Sequence, residues 1–196
     1  MFKRSITVEE INNLPLIEFN GKIHLIRNDD EVLDAIDILQ VQTHLGFDTE
    51  SKPSFTKGKK NNISVIQIAT ENEAFVFQLK NISNFDPIFS IFTNPKITKI
   101  GLAINNDLSE LRRLQNFKEQ NFIDLQKYVK KFNIDDLSLK KITAIVLNKK
   151  ISKRQQRSNW AAKELTWAQI NYAAIDAWAC LLIYNNLKEF EDKIIE

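Results

Sequence analysis

The chain has 196 residues, of which 43% are hydrophobic and 27% are charged, so it is long enough for one domain with a full core and too evenly mixed to be disordered. Its 27 Lys and Arg nearly balance its 25 Asp and Glu, so the net charge of +2 selects no class of partner. The one cysteine excludes a disulfide framework, and the lack of a long apolar run or a signal-type N-terminus predicts a soluble, cytoplasmic protein without membrane association.

The first half of the chain predicts several strands and one helix. Residues 1–20 have mixed polarity and are expected to wrap the surface, and apolar positions at helical spacing predict a helix over residues 30–41. A loop rich in Lys, Pro, Gly and Asn is expected at residues 52–62. The predicted strands of this half are residues 22–26, 46–50, 63–70 and 74–79. Three polar residues part the last two, which therefore predict an antiparallel hairpin.

Helices and short strands alternate in the second half of the chain. Strands are predicted at residues 97–101 and 121–124. A capping box formed by Thr166 and Gln169 predicts the start of a long final helix, which ends near residue 190. The other predicted helices are residues 85–92, 108–114, 125–132 and 139–146. Antiparallel strands followed by strand–helix alternation predict the α/β class, with a mixed sheet, helices on its faces and one domain over residues 1–196.

Two carboxylates lie one residue apart in the predicted strand at residues 46–50. Side chains two apart in a strand point the same way, so Asp48 and Glu50 share one face. Like charges at this distance disfavour ionisation of both groups unless a cation lies between them. The pair therefore indicates either a bound cation with further ligands elsewhere in the chain or two acids with a purely structural role.

A third carboxylate, Asp176, lies on the predicted final helix, four residues after Tyr172 and on the same helical face. That helix is apolar nearly all round, which is typical of a buried helix. A lone carboxylate there carries a large desolvation cost unless it is paired or binds a ligand. A hydrogen bond to Tyr172 or to a basic residue is the structural alternative, and for Asp176 taken alone it is the favoured one.

A fourth carboxylate, Asp107, follows an apolar strand and a glycine and lies near the start of the predicted helix at residues 108–114. Asp107 is either part of a functional site or simply a residue that caps the helix, which is a common role of acids at helix starts. A strand with the pattern Asp-x-Glu, an acid at a helix start and a helix with the pattern Tyr-x-x-x-Asp are each weak evidence for a functional site. Their joint occurrence in this order is specific.

Three segments carry these acids and the tyrosine, namely residues 47–50, 101–114 and 172–177. In order and context they resemble the motifs of the DEDD superfamily of 3′–5′ exonucleases, in its tyrosine-containing subgroup of RNase D and the Werner syndrome protein exonuclease domain. Ser138-Leu139 and Asn159-Trp160 resemble the Werner-type branch. The resemblance covers about residues 22–190, which are the expected core of the domain.

The resemblance implies a ribonuclease H-like fold, with helices on both faces of its mixed sheet, and a site for two divalent cations, Mg²⁺ or Mn²⁺. The implied ligands are Asp48, Glu50, Asp107 and Asp176. Hard divalent cations take oxygen ligands, and two of them stabilise the attacking and leaving oxygens of an in-line displacement at phosphorus. The resemblance also implies that the hydroxyl of Tyr172 orients the attacking water.

The implied function is a metal-dependent 3′–5′ exonuclease that acts on single-stranded or 3′-recessed nucleic acid and releases 5′-mononucleotides. The similarity around Ser138 and Asn159 favours DNA over RNA as its substrate. The alternative is a catalytically silent nucleic-acid-binding or scaffold domain on the same fold. Loss of an acid would indicate that alternative, whereas all four acids and the tyrosine are present.

Residues 137–163 contain eight basic residues and no acidic one. A solvated surface is the alternative, but so one-sided a segment just before the final helix favours contact with a phosphate backbone. The candidates for phosphate contact are Arg154, Arg157, Lys153, Lys59 and Lys60. The last two belong to the loop at residues 52–62, for which a solvated loop is an equally good interpretation.

The remaining chemistry-bearing side chains are interpreted as structural. Trp160 and Trp167 are able to stack on bases, but large aromatic side chains usually pack inside, so both are expected in the core. Cys180 lies in an apolar run and is expected to be a buried spectator. His24 and His44 have no place in the implied mechanism.

Overall fold

The computed structural model describes residues 1–54 and 61–195. Its helices are α1 (Val8–Asn12), α2 (Asp29–Leu39), α3 (Asp86–Thr93), α4 (Asn105–Leu114), α5 (Leu125–Tyr128), α6 (Leu139–Leu147) and α7 (Trp167–Ile195). Its strands are β1 (Lys22–Ile26), β2 (His44–Ser51), β3 (Ile63–Ala69), β4 (Glu73–Gln78), β5 (Thr98–Gly101) and β6 (Phe122–Asp124). Every predicted strand and helix is present, whereas α1 lies in a segment for which no helix was predicted.

The strands form one six-stranded sheet in the order β1-β4-β3-β2-β5-β6. Strands β2, β3 and β4 are antiparallel neighbours, which confirms the predicted hairpin. Strand β1 pairs in parallel with β4, and β5 and β6 extend the sheet in parallel from β2. The sheet is therefore mixed, as predicted, and β2 lies near its middle.

Helices cover both faces of this sheet, as the resemblance implied. One face carries α2, α3 and α4, which share a buried core with Phe47 of β2 and Ile66 of β3. The other face carries α7, which packs on the side chains of Val65 and Ala69. Because strand side chains alternate, the residues of β2 on either side of Phe47 face α7.

Helix α7 approaches strand β2 closely. A Cβ atom built on Gly46 would lie 2.0 Å from the backbone oxygen of Ala177, so the contact requires a glycine. The small side chains of Ala173 and Ala174 are also buried against the sheet in this region. This packing brings Asp176 of α7 next to the strand that carries the first carboxylate pair.

Replacing Gly46 with Ala is expected to lower the melting temperature by about 10 °C. The added methyl group meets the backbone of α7, and overpacking of this kind costs about 3 kcal/mol. Thermal unfolding followed by circular dichroism measures the change, with Val41→Ala at an exposed position as the control. Equal melting temperatures for Gly46→Ala and the wild type would contradict the close approach.

The two tryptophans near α7 differ in environment. Trp160 is fully buried and its ring packs 5.9 Å from that of Tyr172, centroid to centroid, as expected for a core residue. The expectation for Trp167 is wrong, because its side chain is 67% exposed. Trp167 is the first residue of α7, and its indole belongs to none of the buried clusters of the described residues, whereas Ile170 one turn later is buried in one of them.

The buried cysteine and His24 both have environments that suit structural roles. Cys180 is buried, as predicted. His24 lies 2.6 Å from Glu73 and stacks on Phe75, which suits a structural role. In the part of the chain that the structure describes, no helix has the length and apolarity needed to cross a bilayer.

Candidate active site

Three carboxylates from two distant parts of the chain converge where β2 passes beneath α7. One oxygen from each of Asp48, Glu50 and Asp176 lies within 4.8 Å of the others. The pleat of β2 places the first two on one face, and the close approach at Gly46 brings the third to meet them. A register shift just after Glu50 marks a bulge, a feature that often re-aims side chains beside functional sites.

Asp107 lies beside this cluster rather than inside it. Its carboxylate accepts a hydrogen bond from the hydroxyl of Thr49, on the other face of β2. It does not occupy the N-cap position of α4, which is Ile104, and no side chain caps that helix. Its negative charge raises the pKa of both Asp48 and Glu50, so Asp107 contributes to the same electrostatic field.

The turn before α4 sets the position of Asp107. Ala103 adopts a left-handed conformation with φ of 54°, which is strained for a residue with a Cβ atom. Its backbone N–H donates to Asp124, 2.9 Å away, and this bond holds the turn at the end of β5. The first turn of α4 therefore projects from the same end of the sheet as the acids of β2.

Burial and mutual repulsion raise the pKa values of the carboxylates in this cluster. Burial, followed by the charges of Asp176 and Asp107, raises the pKa of Asp48 well above its usual value and that of Glu50 to about 9. Burial likewise raises the pKa of Asp176 to about 7, against a smaller opposing effect of a hydrogen bond from Tyr172 and the charge of Lys153. Without a cation, these groups therefore bind protons.

The donor set fits a divalent cation. Among the described residues, the buried Oδ1 of Asp176 has no hydrogen-bond partner, which is costly for a carboxylate oxygen unless it binds a cation. The converging groups supply only oxygen ligands, which is the chemistry that hard cations such as Mg²⁺ and Mn²⁺ prefer. A divalent metal site at this position accounts for both observations.

Loss of the Glu50 charge is expected to flatten the pH dependence of stability in the metal-free protein. The pKa of Glu50 is about 9 when folded and near 4.5 when unfolded, so unfolding releases its proton between these values and stability falls as pH rises through that window. Melting temperatures in EDTA across this range measure the effect. Glu50→Gln is expected to lose less stability than the wild type, and Glu9→Gln is the exposed control. A Glu50→Gln curve parallel to the wild type would contradict the expectation.

Tyr172 closes one side of the cluster. Its pKa is raised above the usual value, first by burial and then by the charge of Asp176, so its hydroxyl stays protonated and remains a hydrogen-bond donor. The ring packs against Trp160, which fixes its orientation. Tyr172 and Asp176 thus lie close enough to change each other's pKa, so the pairing of the structural alternative coexists with the carboxylate cluster.

Asp48, Glu50 and Asp176 line a cleft of about 670 Å³ to which the basic segment also contributes, whereas Asp107 lines a neighbouring one. Lys153 and Lys140 both line this cleft. Arg154 lines a second, adjacent cavity, and the exposed Arg157 lines neither. Lys59 and Lys60 lie outside the described residues. The structure thus brings Lys153 to the acids and separates Arg154 and Arg157 from them.

Sequence reasoning missed three residues around the cluster. Leu102 and Gln126 line the cleft. Gln67 pairs directly with Asp48 across β2 and β3, and both polar atoms of its buried amide lack partners among the described residues. The available signal for Gln67 was a polar residue inside an otherwise apolar strand, whereas no local pattern distinguishes Leu102 and Gln126.

The fold and the site together define a class of protein. A mixed sheet in this order with helices on both faces is the ribonuclease H-like architecture of RNase D-like exonuclease domains. A family model described as 3′–5′ exonuclease matches residues 23–190. The chain belongs to this 3′–5′ exonuclease family.

Individual relatives agree with the family model. The mouse bifunctional 3′–5′ exonuclease/ATP-dependent helicase WRN is 31% identical over 191 residues, covering 92% of this chain and 14% of that protein. Ribonuclease D of Haemophilus influenzae is 25% identical, covering 91% of this chain and 48% of its own length. The solved exonuclease domain of Aedes aegypti Nibbler superposes with a TM-score of 0.80 at 25% identity, covering 92% and 93% of the two chains. The chain thus spans less than half of either full-length relative.

Proposed function

We propose that the chain is a metal-dependent 3′–5′ exonuclease that hydrolyses phosphodiester bonds of single-stranded or 3′-recessed nucleic acid and releases 5′-mononucleotides. One observation carries the proposal: one buried and two half-buried carboxylates and a protonated tyrosine line a cleft together with two lysines. Bare carboxylates would repel a phosphodiester, so the acids suit this substrate only with cations bound. Membership of the 3′–5′ exonuclease family supports the direction of cleavage.

The four acids would hold two divalent cations, Mg²⁺ or Mn²⁺. Asp48, Glu50 and Asp176 offer their oxygens at short range, and Asp107 lies within electrostatic reach of the same cluster. When bound, such cations polarise the phosphoryl group and lower the pKa of a bound water. The role of the chain is to hold these acids close together in a desolvated site, so that a bound divalent cation would relieve the repulsion between them.

Tyr172 would orient the attacking water through its hydroxyl. The hydroxyl remains protonated beside Asp176, so it acts by donating a hydrogen bond and not as a base. The charge of Lys153 reaches Asp176, and its side chain lines the cleft, so it is placed to meet a backbone phosphate next to the scissile bond. Arg157, which is exposed outside the cleft, would contact the strand farther away.

We further propose that residues 1–196 form one exonuclease domain with DNA as the preferred strand. The similarity of Ser138-Leu139 and Asn159-Trp160 to the Werner-type branch favours DNA. One relative is named Ribonuclease D, and this name indicates RNA as the substrate of that protein. The rates of DNA and RNA digestion by this chain therefore have to be compared directly.

The test is digestion of 5′-labelled single-stranded DNA and RNA of the same sequence with Mg²⁺, Mn²⁺ or EDTA. We expect a ladder that shortens from the 3′ end with either metal, no cleavage in EDTA and faster digestion of DNA. An internally labelled circular single strand, which has no 3′ end, is the matched control and is expected to stay intact. Equal or faster digestion of RNA would contradict the DNA preference alone.

The silent alternative predicts a different result in the same experiment. A nucleic-acid-binding or scaffold domain would shift both labelled strands in a gel without shortening either one in any metal. Retained acids argue against this alternative, because a domain without turnover gains nothing from a cluster of mutually repelling carboxylates.

A further inference from the structure

A second cavity of about 460 Å³ lies next to the active cleft. Residues 151–155 run between the two cavities, and Ile151 and Tyr172 line both of them. The second cavity therefore adjoins the position where the scissile bond is expected. Its volume is within the range of about 300–1,000 Å³ that is usual for small-molecule sites.

The N-terminal arm, residues 16–20, forms one wall of this cavity. The arm precedes the part of the chain that the family model matches. The backbone N–H of Ile17 donates to the carbonyl of Lys150 at 2.9 Å, and the N–H of Lys150 donates to the carbonyl of Pro15 at 2.9 Å. The ammonium group of Lys150 also donates to the carbonyl of Asn12 at 2.7 Å. These bonds tie the arm to the basic segment, so the wall is formed before a ligand binds.

The lining of the cavity combines apolar walls with one cation. Leu16 and Ile175 are apolar residues of the lining, which suits an apolar contact with a nucleobase. Arg154 also lines the cavity, and its guanidinium has no carboxylate partner among the residues described, so it is available for a phosphate. Glu18 is the acidic residue of the lining and would repel a phosphate, so the phosphate is expected on the Arg154 side.

We propose that this cavity is a subsite for the nucleotide on the 5′ side of the scissile bond, with its base against the N-terminal arm and its phosphate at Arg154. This inference rests on the proposed exonuclease function. The 3′-terminal nucleotide would occupy the active cleft, and the strand would pass Tyr172 into the second cavity. The arm and Arg154 would then determine how tightly a strand binds without taking part in the chemistry.

The test compares two substrates that differ only beyond the scissile bond. One is a short single-stranded oligonucleotide, and the other is the p-nitrophenyl ester of thymidine 5′-monophosphate, in which p-nitrophenolate replaces the rest of the strand. Arg154→Ala is expected to raise the KM for the oligonucleotide about tenfold and to leave kcat/KM for the ester unchanged. Arg27→Ala removes an exposed arginine outside both cavities and is expected to change neither value.

The outcomes separate the subsite from the proposed function. Hydrolysis of both substrates by Arg154→Ala with wild-type constants would overturn the subsite and leave the exonuclease intact. An equal loss on both substrates would also overturn it, because Arg154 would then act on the active cleft. If the wild type hydrolyses neither substrate in Mg²⁺ or Mn²⁺, the exonuclease proposal fails and the subsite fails with it.

Discussion

Replacing Asp48 with Asn is expected to reduce hydrolysis of a 3′ end by a factor of at least about 10³ while making the metal-free protein more stable. The amide keeps the shape of the side chain but removes the charge that would hold a cation. A bound cation supplies several kcal/mol of transition-state stabilisation, and about 4 kcal/mol corresponds to this factor. Single-turnover digestion of labelled DNA in Mn²⁺ measures the rate, and calorimetric titration with Mn²⁺ measures the lost binding.

The stability gain follows from the same carboxylate cluster. Burial and the charges of Asp176, Asp107 and Glu50 all disfavour the charged form of Asp48, so folding at neutral pH has to protonate this group, and the amide removes that cost. A gain of about 1 kcal/mol would raise the melting temperature in EDTA by about 3 °C. Asp34→Asn on the exposed side of α2 is the control and is expected to change neither property. An Asp48→Asn protein that is inactive but destabilised would instead indicate misfolding.

The sequence predicted the site because its constraints are local. The pleat of a strand is enough to place Asp48 and Glu50 on one face. A helix apolar on every side is enough to make Asp176 a buried charge in need of a partner. The strand that receives this helix was not predictable in the same way, because the contact depends on Gly46 meeting a carbonyl of α7 more than a hundred residues later.

The nucleic-acid contacts were less predictable for a physical reason. A run of basic residues has no periodicity when it lies in a loop, so charge alone did not separate Lys153, which lines the cleft, from Arg157, which does not.

Trp167 was expected in the core because tryptophan side chains are usually buried, but the first residue of a helix often extends beyond the elements that would cover it. The N-terminal arm had no pattern, since its position is set by backbone bonds to Lys150.

Replacing Tyr172 with Phe is expected to lower kcat about 10²-fold and to leave Mn²⁺ affinity and KM unchanged. The hydroxyl is a donor beside the acids and not an oxygen of the cation-binding group, so its loss would remove the orientation of the water and keep the metal site. Steady-state kinetics and Mn²⁺ titration measure the two properties separately. Tyr184→Phe removes a hydroxyl from the same helix away from the cleft and serves as the matched control.

The pH profile distinguishes an orienting hydroxyl from a catalytic base. Because burial and the charge of Asp176 raise the pKa of Tyr172 above its usual value, the hydroxyl does not ionise between neutral pH and pH 9. The residual activity of Tyr172→Phe should therefore follow the same pH curve as the wild type, lowered by a constant factor. A curve that loses its alkaline limb in the variant would assign proton transfer to the tyrosine. Loss of Mn²⁺ binding would instead show that the hydroxyl holds the neighbouring side chain of Asp176 in place.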